Sequence, residues 1–411
     1  MELVSQVTSQ NYIYLPGLHQ VGNYIGQTPI TGGYAIGGYV TDLHSPVFRN
    51  LLSSTISIGL ILKLDQNLSP LWGGVYNTVW TNITVPLVPL KNMGWPGHDT
   101  LEDYDMAEKI VELGQNEFFA TGSINISSLW RSGGVDYANK DQGVLAITFN
   151  NGGVISNSSF GGYNYRGPGT GNRELGVDAI WDNDLSKIYL LSAATENYGP
   201  ALTHLDYSGG GTPVPNRIWT YGITNASMAS ATPFSFLRTT ATSDRVVVGG
   251  YFFTANFGSY LSNSPIWLGK FGLNAPIIDF SHLYAEPSPN LGVTAFFSAP
   301  HGPFYGASIP GSFTPKMLDY GHTANYVLAG YINGPNDSRY ELSALNVSSN
   351  GTFENCTAPQ AFTFAFSNED LRDEHDFKYV SLSHSDIQEI NTNFQAYDQP
   401  SNQIDCRDAN W

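Results

Sequence analysis

The chain has few charged residues, and basic residues are scarcest. Charged residues make up 13% of the 411 residues, and 18 Lys and Arg stand against 35 Asp and Glu, for a net charge of −17. Because nucleic-acid binding rests on Lys and Arg that neutralise phosphates, this balance disfavours nucleic acid, and it disfavours anionic membrane surfaces for the same reason. A multivalent cation or the basic patch of a partner protein is compatible with it.

Long apolar runs, targeting segments and catalytic signatures are also missing. No stretch approaches the roughly 18 consecutive apolar residues of a membrane span, and MELVSQVTSQ lacks the basic start and apolar core of a signal peptide. If the protein is secreted, we expect its leader to be absent from this chain. The sequence has no Gly-x-Ser-x-Gly, His-Glu-x-x-His or Cys-x-x-Cys motif and no sialidase-type Asp-box. We therefore expect a protein that is not an enzyme.

Cysteine is nearly absent, since Cys356 and Cys406 are the only two. An even pair in an extracellular-looking chain predicts one disulfide. Closing a loop of about 50 residues would stabilise the fold by something like 4 kcal/mol in the chain-entropy model. Two buried free thiols are the alternative, because no metal motif or nucleophile signature surrounds either residue.

What the sequence does contain is a repeated short strand that closes on glycine and tyrosine. ITGGYAIGGYV (30–40), RVVVGGYFF (245–253) and NYVLAGYIN (325–333) share an apolar alternating run that ends on Gly-Tyr. EFFATGSIN (117–125) is a weaker copy, and KIYLLSAAT (187–195) keeps the apolar run alone. Because glycine in a strand marks a bend or a close approach of another backbone, these strands are predicted to have near neighbours.

Each copy is followed by a second strand, a turn and a third strand. The second strands end at turn-forming residues, namely Asp65, Asn150, Asp206, Gly272 and Asn346. The third strands begin or end with an aromatic residue, namely Trp72, Phe160, Trp219, Phe280 and Phe353. A further apolar run precedes most copies, at 107–114, 174–181, 233–240 and 316–322. Each unit is therefore predicted to be a four-stranded antiparallel meander.

Self-similar four-stranded units in one chain are typical of a β-propeller, whose blades stack face to face around an axis. The predicted fold is accordingly all-β, a single propeller domain over 1–411, with six blades favoured and five or seven as alternatives. Terminal strands within 1–17 and 362–411 would either close the ring as a split blade or pair with a neighbouring subunit.

The order Gly-Tyr, Leu-x-Lys-Leu-Asp, Trp resembles a loose repeat of bacterial and eukaryotic surface propellers. It stands most completely within residues 32–76, as GGYAIGGYV, LILKLD and PLW. The chain is also distantly similar to kelch repeats, because a Gly-Gly pair precedes a tryptophan strand. This resemblance implies an architecture and no particular activity, since propellers host many functions.

Sequons and a composition rich in Asn, Ser and Thr favour an extracellular or cell-surface glycoprotein. Eight Asn-x-Ser/Thr sequons are predicted to carry N-linked glycans: Asn82, Asn125, Asn157, Asn225, Asn336, Asn346, Asn350 and Asn355. A ninth, at Asn67, is weakened by the nearby Pro70. The alternative is that Asn, Ser and Thr simply crowd into loops.

Two sets of residues are candidates for ligand contact. Four acidic residues are predicted in loops around the mouth of the propeller funnel: Asp105, Asp178, Asp319 and Asp376. Such a ring could bind Ca²⁺ or support glycoside hydrolysis, although an acidic chain also has solvated acidic faces. Five aromatic residues have no place in the repeat and could stack on sugars or anchor a partner: Trp80, Trp95, Trp130, Tyr260 and Tyr305.

The leading hypothesis is a non-enzymatic extracellular glycoprotein that acts by protein–protein contact. It would be a surface or appendage subunit whose partners are other copies of itself or other surface proteins, and head-to-tail contacts that do not close would give filaments. A carbohydrate-binding propeller is the second hypothesis, and a glycan-processing hydrolase is the third.

Overall fold

The computed structural model consists of β-strands and connecting turns. It describes residues 11–14, 19–41, 56–77, 103–104, 106–132, 135–154, 162–164, 174–194, 200–209, 213–223, 229–239, 243–256, 259–260, 266–284, 313–320, 325–333, 340–352, 360–361, 363–369, 373–375, 378–382 and 388–391. These residues form strands and no helix, which confirms the all-β prediction. Among them, none belongs to a helix with the length and apolar character that crossing a membrane requires.

The first sheet follows a separate N-terminal strand, β1 (Asn11–Tyr14). Its four consecutive strands are β2 (His19–Gln27), β3 (Tyr34–Thr41), β4 (Ile56–Leu64) and β5 (Pro70–Asn77), each antiparallel to the next. β6 (Asp103–Tyr104) adds a short parallel pairing to β4. The repeat pattern did not predict β2, whose glycines and polar residues interrupt any apolar run and whose Ile25 is 62% exposed.

The second sheet contains two unusually long strands. It consists of β7 (Met106–Gly114), β8 (Glu117–Ser132), β9 (Val135–Asn150) and β10 (Gly162–Asn164), all antiparallel. β7 pairs with β8 from Glu117 to Ser123. β10 pairs with β9 at Val144 and Leu145. Residues 124–132 and 135–143 therefore continue as a ribbon of two strands beyond the rest of this sheet.

The remaining repeats form three further sheets. The third contains β11 (Glu174–Asp182), β12 (Lys187–Ala194), β13 (Pro200–Asp206) and β14 (Val214–Ile223), in that order. The fourth contains β15 (Ala229–Arg238), β16 (Arg245–Asn256), β18 (Ile266–Gly272) and β19 (Ile278–Tyr284), with β17 (Ser259–Tyr260) beside β16. In the fifth, the described strands are β20 (Phe313–Tyr320), β21 (Tyr326–Asn333) and β22 (Tyr340–Val347). The four apolar runs predicted to precede the Gly-Tyr copies are confirmed as β7, β11, β15 and β20.

The C-terminal part of the chain contributes five short strands. They are β23 (Gln360–Ala361), β24 (Phe364–Glu369), β25 (Asp373–His375), β26 (Lys378–Leu382) and β27 (Gln388–Asn391). The sequence predicted terminal strands here, but it did not predict which strands they would join.

The predicted turns have the expected side-chain chemistry. After β4, Asp65 Oδ1 accepts hydrogen bonds from the backbone N–H groups of Asn67 and Ser69, both at 2.8 Å. After β9, Asn150 Oδ1 accepts from the N–H groups of Gly152 and Val154 at 2.9 and 3.0 Å. Such Asx turns let a short side chain replace a backbone acceptor, so two strands are joined without a long loop.

The predicted aromatic strands are confirmed where the structure describes them. Trp72, Trp219 and Phe280 lie on β5, β14 and β19. Phe160 and Phe353 lie outside the described residues.

Small residues allow neighbouring sheets to approach closely, as the repeat predicted. β7 packs on β2, β3 and β4, and β11 packs on β7, β8 and β9. A Cβ atom at Gly37 would lie 3.0 Å from the carbonyl oxygen of Ala107, and one at Gly176 would lie 3.0 Å from the backbone of Gly122. A larger residue at either position would push the two backbones apart.

The chain divides into two compact units, each with its own aromatic core. Unit 1 comprises 1–188, 205–214 and 371–400, and unit 2 comprises 189–204, 215–370 and 401–411. The core of unit 1 includes Trp72, Phe118 and Phe149. The core of unit 2 includes Trp267 and Phe271, which are 0% and 1% exposed.

Candidate interaction surfaces

The C-terminal segment, residues 360–391, adds an edge strand to four sheets in turn. β23 pairs with β19, β24 with β14, β25 with β10 and β26 with β5, all antiparallel. Along the chain, the strands of this segment thus join the fourth, third, second and first sheets. This order is the reverse of the order in which the sheets occur in the sequence. In each sheet the strand that receives it is the last of the four consecutive strands. Main-chain hydrogen bonds at sheet edges are the basis of strand addition between chains as well as within them.

The longest of these pairings is anchored by one aromatic side chain. β24 runs beside β14 from the pair Phe364–Ile223 to the pair Glu369–Ile218. Phe364 is 5% exposed, and its ring centroid lies 5.5 Å from those of both Trp267 and Phe271. Edge and tilted ring contacts at this distance add to the burial of apolar area.

Phe364 lies where the segment passes from one sheet to the next. Its ring contacts Trp267 and Phe271 of β18, in the fourth sheet, and its centroid lies 6.4 Å from that of Tyr221 of β14, in the third sheet. Ala361 and Thr363, just before it, are exposed. The alternating apolar run AFTFAF at 361–366 is the sequence signal for this anchor, but it does not indicate which strand the run joins.

The two ends of the chain meet in a separate pair of strands. β1 and β27 are antiparallel, from Asn11 opposite Asn391 to Tyr14 opposite Gln388. Within the described ranges this is a sheet of two strands. Isolated two-stranded sheets are marginally stable in water. A further strand that joined β1 and β27 would therefore stabilise this pair.

The ribbon of β8 and β9 contains one predicted aromatic contact and one predicted glycan site. Trp130 is directly opposite Tyr137, and Asn125 is directly opposite Gln142. Opposed residues share a face of a ribbon, and the face alternates with each residue along a strand. Position 130 therefore lies on one face of the ribbon and position 125 on the other.

A cluster of buried and half-buried polar side chains lies between the first two sheets of unit 1. Asn23 Nδ2 donates to Glu108 Oε1 at 2.9 Å, and Glu108 is 8% exposed. Burial, together with the nearby Glu108 carboxylate, raises the pKa of Tyr39 to about 12. Tyr39 therefore stays neutral in the folded protein over the whole physiological range.

One of the four predicted acidic ligands belongs to the same region. Lys109 Nζ lies 2.9 Å from Asp178 Oδ1 and 4.8 Å from the ring centroid of Tyr24. The Asp178 side chain is 6% exposed, so this is a nearly buried ion pair. Burial raises the pKa of Tyr24, the Lys109 ammonium opposes the shift and the Asp178 carboxylate adds to it.

The structure places Asp178 differently from the sequence prediction. It lies on β11 rather than in a loop at a funnel mouth, and it is buried because the packing of β11 on β7, β8 and β9 covers this strand. Asp319 lies on β20 opposite Val327, and Asp105 and Asp376 are outside the described residues. Within those residues no three His, Cys, Asp or Glu side chains form a group that could hold a metal ion.

The other predicted site residues are partly described. Asn346 is exposed near the end of β22, and Asn350 is exposed at the turn that follows. Thr352 Oγ1 donates to Asn350 Oδ1 at 2.8 Å. Tyr260 lies on β17 opposite Ala255. Outside the described residues are Asn82, Asn157, Asn225, Asn336, Asn355, Trp80, Trp95, Tyr305, Cys356 and Cys406.

Comparison with protein-family models yields no match, and comparison with curated proteins yields none either.

Proposed function

We propose that this chain is a non-enzymatic extracellular glycoprotein that acts as a structural subunit of a surface or appendage, through contacts with other copies of itself. The observation that carries the proposal is the C-terminal segment, whose strands are added to the edges of four sheets and whose last strand pairs with the N-terminal strand. Addition of a strand to a sheet edge through main-chain hydrogen bonds is one recurring way in which β-proteins bind one another.

A β-propeller is the architecture we propose for this subunit. Support comes from the succession of four-stranded antiparallel meanders and, within unit 1, from the stacking of each new first strand on the preceding sheet. In such a propeller, the β1 and β27 pair would belong to a sixth, split blade. Surface glycans at the exposed Asn346 and Asn350 suit an extracellular subunit.

Electron microscopy of the native, glycosylated protein with both termini intact tests the function. Filaments or sheets are the expected result, and their cross-section would show whether each subunit is a ring of blades. Discrete single particles at every concentration and ionic strength would contradict the proposal. Because the chain has a net charge of −17, salt that screens repulsion between copies should favour assembly.

Carbohydrate binding is the second candidate function, favoured by the opposed Trp130 and Tyr137 near the tip of the β8 and β9 ribbon. Two adjacent aromatic residues are a suitable platform for a sugar ring. A glycan array read with Trp130→Ala beside the parent protein tests this function. Binding that the substitution abolishes would support it, and the absence of sugar binding by the parent protein would exclude it.

A further inference from the structure

In each of the four sheets that receive the C-terminal segment, four consecutive strands precede the segment in the chain. Residues 19–77, 106–164, 174–223 and 229–284 supply their first four strands. The acceptor edges on β5, β10, β14 and β19 therefore belong to the sheets and not to the segment. A row of free N–H and C=O groups at a sheet edge is a template for any strand of matching length and register.

We propose that the C-terminal segment is exchanged between copies, so that β24 of one copy occupies the β14 edge of another, with Phe364 as the anchoring side chain. This inference rests on the proposed function, which requires copies to bind one another, and it names the joint. Exchange of an identical element keeps every contact of the unexchanged form and is a low-cost route to assembly.

The pocket of Phe364 gives the exchange its specificity. Main-chain pairing alone accepts many sequences, whereas the rings of Tyr221, Trp267 and Phe271 surround one side chain at one register. Among the segment residues whose side chains the structure describes, Phe364 is the buried one, and Ala361 and Thr363 are exposed. A strand shifted by one residue would turn Phe364 to the opposite face of the sheet.

A second copy is the occupant favoured by the strand already paired at this edge, because every copy carries the same β24. Two copies that each carry a net charge of −17 repel one another over most of their surfaces. A contact between them must therefore come from apolar packing and main-chain pairing, and the β14 edge with its aromatic pocket offers both. The segment of another copy fits this edge because it is identical to the segment already seated there.

Cysteine trapping in the full chain tests the exchange directly. Thr220 of β14 is opposite Ser367 of β24, and opposed residues have Cβ atoms roughly 4.5–5.5 Å apart, close enough for a disulfide after small shifts. Thr220→Cys and Ser367→Cys are introduced in separate chains and co-expressed, and the assemblies are oxidised. Peptide mapping should find the 220–367 cross-link in a covalent dimer.

Two controls make the trapping decisive. Ala329→Cys and Ala344→Cys, on the neighbouring strands β21 and β22, should give no dimer when they are co-expressed in separate chains, because these strands are not exchanged. The double variant Thr220→Cys/Ser367→Cys should cross-link in every case. Exchange is overturned if the protein assembles and the double variant cross-links within single chains, yet the mixed single variants give no dimer. If the protein does not assemble at all, the proposed function fails together with the exchange.

The anchor is tested by its effect on assembly. Phe364→Ala, or Phe364→Leu if the alanine variant does not fold, should raise the concentration needed for assembly by about 30-fold or more, as expected for a central aromatic contact. Thr363→Ser, at the adjacent exposed position, should leave that concentration unchanged. Equal effects of the two substitutions would overturn the role of Phe364 as anchor.

Discussion

The aromatic cores of the two units differ in where their residues come from. In unit 1, Trp72 meets Phe118 and Phe149 with ring centroids 5.9 and 5.4 Å apart, and all three precede residue 150 in the chain. In unit 2, Trp267 and Phe271 are completed by Phe364 from the C-terminal segment. The first core is closed by neighbouring repeats, whereas the second depends on a strand that joins from far along the chain.

The largest expected effect comes from removing the aromatic ring at the centre of each core. Trp72→Ala and Phe364→Ala should each lower the free energy of unfolding by about 3–5 kcal/mol, because both leave a cavity among packed rings. A peptide spanning residues 360–369 added to the solution should restore stability to the Phe364 variant and not to the Trp72 variant. Chemical denaturation measures both effects.

Leu71→Ala provides the control for the first core. Leu71 is next to Trp72 on β5 but is 52% exposed, so its truncation should change the free energy of unfolding by less than about 1 kcal/mol. Rescue of both cores by the peptide would contradict the difference between them.

Breaking an ion pair should lower the free energy of unfolding by different amounts in the two units, as measured by chemical denaturation. Asp178→Asn breaks the nearly buried pair with Lys109 in unit 1 and should cost about 3 kcal/mol, since it leaves a poorly solvated ammonium without its carboxylate. Asp279→Asn in unit 2 breaks a contact of 3.0 Å with Arg245, but the Asp279 side chain is 33% exposed. That exposed pair should contribute no more than about 1 kcal/mol, and equal losses would contradict the role of burial.

Buried tyrosines should make both units sensitive to high pH, for partly different reasons. Burial raises the pKa of Tyr221 in unit 2, while burial and the Glu108 carboxylate raise that of Tyr39 in unit 1 to about 12. A raised pKa in the folded state stabilises the protein below the unfolded value of about 10, and this stabilisation is lost as the pH rises towards 12.

For Tyr39 the contribution is about 2–3 kcal/mol. Tyr39→Phe should therefore flatten the fall of the unfolding free energy between pH 10 and 12. Glu108→Gln should lower the pKa of Tyr39 and leave that of Tyr221 unchanged, which titration by ultraviolet absorbance can follow. If the unfolding free energy of Tyr39→Phe fell as steeply between pH 10 and 12 as that of the parent protein, the contribution assigned to Tyr39 would be contradicted.

The smallest effects compare one turn glycine in each unit. Gly153 and Gly351 have φ of 69° and 78°, and a Cβ at either would lie 2.7 Å from the ring of Trp72 or 2.6 Å from that of Phe280. Each Gly→Ala substitution should cost about 2 kcal/mol, from the left-handed backbone and the displaced ring together. Gly209 has φ of 77° with nothing within 4 Å of its Cβ position, so Gly209→Ala should cost about 1 kcal/mol. If the three substitutions lowered the free energy of unfolding equally, the rings of Trp72 and Phe280 would be shown to move aside at no cost.

Local patterns in the sequence predicted the repeated strands well. Alternating apolar residues, Asp65 and Asn150 at turns and small residues such as Gly37 act over a few residues, so they can be recognised without knowledge of partners. The pattern failed at β2, where glycine and polar residues replace the apolar run. It also failed at Asp178, because the covering of β11 is a property of the sheets around it.

Lys63 also shows that a local pattern does not predict burial, even in the most complete repeat, within residues 32–76. The Leu-x-Lys-Leu-Asp pattern predicts a strand, and a lysine on a strand is usually solvated. In the structure Lys63 is 0% exposed, and its Nζ donates to the carbonyl oxygens of Leu64, at 3.0 Å, and of Gly32. Burial lowers the pKa of Lys63, and the Glu112 and Asp65 carboxylates oppose that shift.

The sequence by itself determined that this protein consists of repeated antiparallel meanders, because strand alternation and turn chemistry are local. Only the tertiary structure decided that the C-terminal segment joins four sheets, that Phe364 completes the core of unit 2 and that β1 meets β27. Edge pairing uses main-chain hydrogen bonds, which nearly every residue can make. The choice of partner therefore leaves little trace in the side chains, and it follows from which edges and pockets the folded sheets present.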